Sequence, residues 1–185
     1  MSTRTTQIRR TVEQLLTDAK VKSPPVPVDV LIRAQGIEIA RNRFDDETSG
    51  LIYVDPETRH AVVGLNISHS KTRQRFTLAH ELGHFLLHKR SSSGLHVDDS
   101  DFFIKFRDHH SSDGSDREER EANSFAAELL MPSSLLERDV KKLREGLSLS
   151  DETTVRKLAS RYGVSLQALT FRLVNLGLIN PAMLG

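Results

Sequence analysis

The sequence predicts an α+β protein. Three observations point there. Apolar residues recur at helical spacing at the start, in the middle and through the last third of the chain. Short β-type runs fall between residues 37 and 66, with one more at Phe102 to Phe106. Proline and glycine punctuate the joints between the two kinds of pattern.

The elements read in order as follows. Val12, Leu15, Leu16 and Ala19 mark an amphipathic helix over about the first twenty residues. Ser23 to Pro27 (SPPVP) ends it, because proline cannot continue a helix and restrains the residue before it. Val28 to Ala34 reads as a short second helix, with Gly36 as its C-terminal cap. Ile37 and Ile39 suggest a strand. Leu51 to Val54 and Ala61 to Asn66 suggest a β-hairpin, joined by the turn residues Asp55-Pro56-Glu57-Thr58.

Thr72 to Lys89 is the strongest helix. Ser91 to Arg117 is the least regular stretch and reads as a long loop carrying one strand, Phe102 to Phe106; loops of this length are often functional. Helix returns over Glu118 to Met131. Pro132 opens another helix to about Arg144, and two more follow at about Asp151 to Tyr162 and Ser165 to Leu176, separated by Gly163.

Composition narrows the function. With 37% hydrophobic and 28% charged residues, the 185-residue chain can bury a real core. Its formal net charge of +1 gives no global pull toward nucleic acid. The absence of cysteine excludes disulfides, a thiol nucleophile and cysteine-ligated metal. The first twenty residues lack the apolar run of a signal peptide, and no segment reaches the ~18–20 apolar residues of a membrane span. A soluble, cytoplasmic protein without membrane association is expected.

The chemistry concentrates in His80-Glu81-Leu82-Gly83-His84. Residues four apart share a helix face, so His80 and His84 offer two imidazoles to one metal ion. Glu81 lies to the side of the pair, placed to take a proton from water as a general base. This is the H-E-x-x-H arrangement of zinc peptidases. The competing reading is two solvated histidines on a surface helix. Leu78, Ala79, Leu82, Phe85 and Leu86 argue against it, because they make the helix a buried one, where unpaired titratable groups are costly. Gly83 costs ~1 kcal/mol in mid-helix relative to alanine, and is explained if another element must approach there.

A catalytic zinc site needs a third protein ligand. A further histidine at position 90 would define one zinc class, but Arg90 stands there. His88 continues the helical series, yet lies too far up the axis to share the ion and reads as a surrounding or surface residue. His96, His109 and His110 are loop histidines. Glu118, Glu119 and Glu121 are the better candidates. Asn123 follows Glu119 by four residues and could hydrogen-bond a metal-bound histidine, as such partners do at zinc sites. Helical geometry alone leaves Glu118 and Glu119 both open.

Two stretches carry a resemblance. RFTLAHELGHFLLH (Arg75 to His88) followed by EREANSFAAELLMP (Glu119 to Pro132) resembles the ImmA/IrrE family of bacterial metallopeptidases; Pro24 to Pro27 and Gly50 to Tyr53 also fit. The likeness covers about residues 10 to 140. It implies that Glu119 is the acidic ligand. It implies a gluzincin-like core, a small mixed sheet packed on the H-E-x-x-H helix, with the ligand carboxylate on the next helix. It implies a metalloendopeptidase that cleaves a partner regulatory protein, typically a helix-turn-helix repressor, and so relieves repression.

The expected division is residues 1–145 as the metallopeptidase domain and 146–185 as a C-terminal helical segment. The tail from Val155 to Leu169 resembles a helix-turn-helix core. Its second helix offers only Gln167, Thr170 and Arg172, which is thin for base readout and phosphate contact, so direct DNA binding is not expected. Zinc is the expected metal, although two histidines and a carboxylate also suit manganese or ferrous iron. The competing class is a non-catalytic regulatory module, holding a repressor or DNA around a structural metal site. The substrate strand is expected along an exposed sheet edge, with Ala61 to Asn66 and Phe102 to Arg107 as candidate edges.

Overall fold

The computed structural model describes residues 3–45, 47–88, 94–99, 114–144 and 152–179. Helix α1 spans Thr3–Asp18 and buries Ile8, Val12 and Leu16, four residues apart along one face. Lys20, at φ 56°, turns the chain, and the Val21 amide closes the helix end on the Leu16 carbonyl at 2.9 Å. Helix α2, Val28–Ala34, starts directly after Pro27 and buries Val28, Leu31 and Ile32. Gly36, at φ +75°, donates its amide to the Arg33 carbonyl, a conformation that glycine adopts without a Cβ penalty.

Strands β1 (Ile37–Asn42), β2 (Thr48–Val54), β3 (Ala61–Asn66) and β4 (Gly94–Asp99) form a four-stranded sheet in the order β1-β3-β2-β4. β1 runs parallel to β3, and β2 is antiparallel to both β3 and β4, so the sheet is mixed. The β2–β3 turn is built by Asp55, whose Oδ1 accepts from the amides of Glu57 (3.0 Å) and Thr58 (2.7 Å). Those Thr58 bonds hold the Asp55 carboxyl below the usual carboxylate range.

Ile37, Ile52, Val54, Ala61, Val63 and Leu65 are buried and alternate along the strands, making one apolar face. Helix α3, Lys71–Leu87, packs on β2 and β3 with Leu78, Ala79 and Leu82 buried. Helix α4, Gly114–Leu130, lies along α3 and buries Ala122, Phe125, Ala126, Leu129 and Leu130. At about 25 cal/mol per Å² these apolar faces are the main favourable term in the fold.

Two expectations need correction here. Ala61 to Asn66 is not an edge: β3 lies between β1 and β2, because β1 returns to pair with it in parallel. Within the long irregular stretch, the strand that is described is Gly94–Asp99, and α4 begins at Gly114 rather than Glu118. Pairing with β2 supplies what GLHVDD lacks in local strand propensity. Phe102 to Arg107 falls outside the described residues.

Helices α5 (Ser133–Arg144), α6 (Glu152–Tyr162) and α7 (Leu166–Asn175) complete the order. Gly163, at φ +66°, makes the turn between α6 and α7, and Ser165 caps α7 by accepting from the Ala168 amide at 3.1 Å. This pair is anchored to the rest of the chain. Arg75 of α3 donates to the Gly163 carbonyl at 3.1 Å. Arg172 pairs with Glu128 of α4 and donates to the Met131 carbonyl at 3.2 Å, with its side chain only 12% exposed. The cation that the sequence offered for phosphate contact is therefore engaged inside the molecule.

Glu128 also caps α5, accepting from the Ser133 amide (2.9 Å) and hydroxyl (2.8 Å). Burial pushes its carboxyl up, but Arg172 and the Ser133 bonds outweigh burial and hold it below the usual range. A carboxyl depressed in the folded state contributes stability above its unfolded pKa, and that contribution is lost as pH falls through the folded value. In urea unfolding, the wild type should therefore lose more stability between pH 6 and pH 3 than Glu128→Gln does. Arg172→Met, which takes one of two guanidiniums from the buried carboxylate and leaves Arg9 Nε at 3.5 Å, should cost about 2 kcal/mol at neutral pH.

Candidate metal centre

The centre is built on α3. Ser70 caps this helix, accepting from the Arg73 amide at 3.3 Å, and Gln74 ties its start to the carbonyls of His69 (2.7 Å) and Ile67 (3.3 Å). From Phe76 to His84 every residue is buried, so the H-E-x-x-H segment lies inside the fold. His80 and Glu81 have no exposure, and His84 has 4%.

One turn apart, the imidazoles bring His80 Nε2 and His84 Nε2 to 2.9 Å. Glu119 of α4 completes the group. Its Oε2 lies 3.3 Å from His80 Nε2 and its Oε1 lies 3.0 Å from His84 Nε2. Tetrahedral zinc with bonds of 2.0–2.1 Å requires donor atoms about 3.3 Å apart. Two imidazole nitrogens and one carboxylate, converging to that spacing, therefore fit a divalent metal ion. His80, His84 and Glu119 form the group among the described residues that can hold one.

Gly83 explains how α4 comes so close. A Cβ there would lie 3.1 Å from Phe125 Cδ1 and 3.2 Å from both the Cα and the carbonyl oxygen of Ala122. The missing side chain lets the two helices approach and places Glu119 over the histidines.

The other candidates lie around this group. His88 is buried, with its ring centroid 5.6 Å from that of His84; its Nδ1 is 3.9 Å from Glu118 Oε1 and its Nε2 is 3.8 Å from Glu121 Oε2. Glu121 is gripped by Arg117 at 3.0 Å and by Arg4. Burial raises its carboxyl, but the two guanidiniums outweigh burial and hold it below the usual range. Of the three clustered glutamates, Glu119 alone is grouped with both His80 and His84, a choice that spacing had left open. Asn123 is buried one turn further along α4, and its Oδ1 has no hydrogen-bond partner among the described residues. His96 lies on β4, in register with Ile52. His109 and His110 fall outside the described residues.

One neighbour was missed at the level of function. Gly50 of β2 sits against the same helix: a Cβ there would be 2.4 Å from Thr77 Cγ2 and 3.9 Å from Glu81 Oε1. A glycine inside a strand pattern signals such close approach, and that signal was present in GLIY.

A mixed sheet against an H-E-x-x-H helix, with a carboxylate brought in by the next helix, defines an α+β protein of the metallopeptidase type. The chain belongs to the peptidase M78 family, whose IrrE N-terminal-like domain model matches residues 32–174. Comparison with curated proteins gives no matching sequence. Among solved structures the fold is similar to a Mycobacterium tuberculosis transcriptional regulator, with a TM-score of 0.63 and 18% identity. That similarity covers 97% of this chain and 49% of the regulator, so this chain spans about half the regulator's length. No helix among the described residues is long and apolar enough to cross a membrane.

Proposed function

We propose that this chain is a zinc-dependent endopeptidase that cleaves a partner regulatory protein, a helix-turn-helix repressor, and so relieves repression. The observation that carries the reading is the convergence of His80, His84 and Glu119 around one point, with Glu81 buried in the same helix turn. Membership of a peptidase family and a fold similar to that of a transcriptional regulator support it. In this reading residues 1–145 carry the chemistry, and the helical segment from 146 packs on them or meets the partner.

His80, His84 and Glu119 would hold the ion. When bound, zinc supplies Lewis acidity, lowering the pKa of water toward ~7 and polarising a carbonyl. The Glu81 carboxylate takes the proton of the attacking water and passes it to the leaving amine. Asn123, buried on the helix of Glu119, and His88, whose ring centroid lies 5.6 Å from that of His84, would support the ligands from outside the group once the ion is bound. Manganese or iron would suit the same donors, and the family favours zinc.

An extended substrate segment would add to β4, which is an edge strand among the described residues and lies beside the strand that carries Gly50. Backbone pairing of that kind makes little demand on sequence, so specificity would come from docking of the partner as a whole.

The test is to incubate the purified, zinc-loaded chain with helix-turn-helix repressors from its own host. Discrete fragments that vanish with a chelator and return with zinc would support the reading. A partner that stays intact, yet co-purifies with the chain whether or not metal is present, would favour the non-catalytic module.

A further inference from the structure

Three facts converge at one end of β2. The β2–β4 ladder slips at Ser49: Thr48 pairs with Asp99, and Gly50 pairs with Asp98, so Ser49 is an extra residue in its strand. Such bulges re-aim a strand locally. Ser49 is 2% exposed, and its hydroxyl accepts from both Nε (3.1 Å) and Nη2 (2.7 Å) of Arg73. At the next residue, Gly50, the space a Cβ would take is filled by Thr77 Cγ2 at 2.4 Å and bordered by Glu81 Oε1 at 3.9 Å.

Arg73, Thr77 and Glu81 are spaced by four along α3, so they share one face. That face meets β2 twice, at the Arg73 fork on Ser49 and at the Gly50 backbone against Thr77 and Glu81. A glutamate side chain has three rotatable bonds, and a general base must be held to within about 0.5 Å of its working position. The wall at Gly50 limits where the Glu81 carboxylate can go, and the wall is itself fixed by the clamped bulge.

We infer that Arg73 and Ser49 are positioning residues for Glu81: they lock the β2 bulge so that Gly50 sets the place of the Glu81 carboxylate. The inference rests on the reading of Glu81 as the general base of a metal centre. The fork explains why arginine stands at 73, since two of its N–H groups reach one hydroxyl in a fixed geometry that lysine cannot copy. The bulge explains why the residue gripped is a small one whose only polar atom is a hydroxyl.

The test uses the full chain loaded with cobalt(II) and labelled with carbon-13 at the glutamate side-chain carboxyls. The metal-shifted Glu81 signal is identified by its loss in Glu81→Gln. The wild type should give one sharp shifted line. In Ser49→Ala the line should move and broaden while cobalt stoichiometry stays the same; in Ser49→Thr, which keeps the hydroxyl, it should return. Arg73→Lys keeps the charge but loses the fork, should match Ser49→Ala, and decides the matter if Ser49→Ala does not fold. An unmoved Glu81 line in Arg73→Lys and in folded Ser49→Ala, even with a lowered melting point, would make the clamp a stabilising contact only and overturn the inference. Failure of the wild type to take up cobalt would overturn the metal-centre reading, and the inference with it, before any variant is compared.

Discussion

Glu81→Gln should carry as much zinc as the wild type and cleave the partner about 10²–10⁴-fold more slowly, the range a general base contributes. The substitution keeps the size of a side chain with no solvent exposure, so the packing beside Gly50 should survive. It removes only the ability to accept a proton. Glu81 is absent from the group whose donor atoms converge, which is why metal content should not follow activity. Parallel measurement of zinc by mass spectrometry and of partner cleavage on a gel separates the two effects. A Glu81→Gln protein that cleaves at the wild-type rate would remove Glu81 from the chemistry.

Glu119→Ala should lower zinc affinity by more than about 100-fold, since loss of a partner outside the ligand set already costs 10–100-fold at such sites. Its two carboxylate oxygens face the two imidazole nitrogens at 3.3 and 3.0 Å, and among the described residues no other carboxylate or imidazole joins that group. Glu118→Ala should leave affinity nearly unchanged, because Glu118 faces His88 rather than the pair. Competition with a chromogenic chelator measures both. The opposite order, with Glu118 essential and Glu119 dispensable, would mean that the ion is held elsewhere.

Much of this site was legible in the sequence because its parts are local. His80, Glu81 and His84 lie within one helical turn, and the apolar residues around them announce burial. Gly36 and Ser165 mark helix ends through their own backbone and side-chain chemistry. What escaped depends on pairing over long range. Strand β4 exists because β2 offers it a ladder, and GLHVDD by itself looks like loop. The interior position of β3 follows from the parallel return of β1, which no turn residue encodes. Helical spacing left Glu118 and Glu119 both open, because only the packed α3–α4 interface, allowed by Gly83, shows which carboxylate meets the histidines. Arg172 is the plainest case. On a helical wheel it is an available cation, and only the fold shows it bound to Glu128.

The central claim is a metal centre held by His80, His84 and Glu119. The measurement that bears on it most directly is native mass spectrometry of the purified chain, wild type beside His80→Ala, after exposure to zinc and removal of the excess. The claim predicts one zinc on each wild-type chain and none on a folded His80→Ala chain. Equal zinc on both, or none on either, would contradict it.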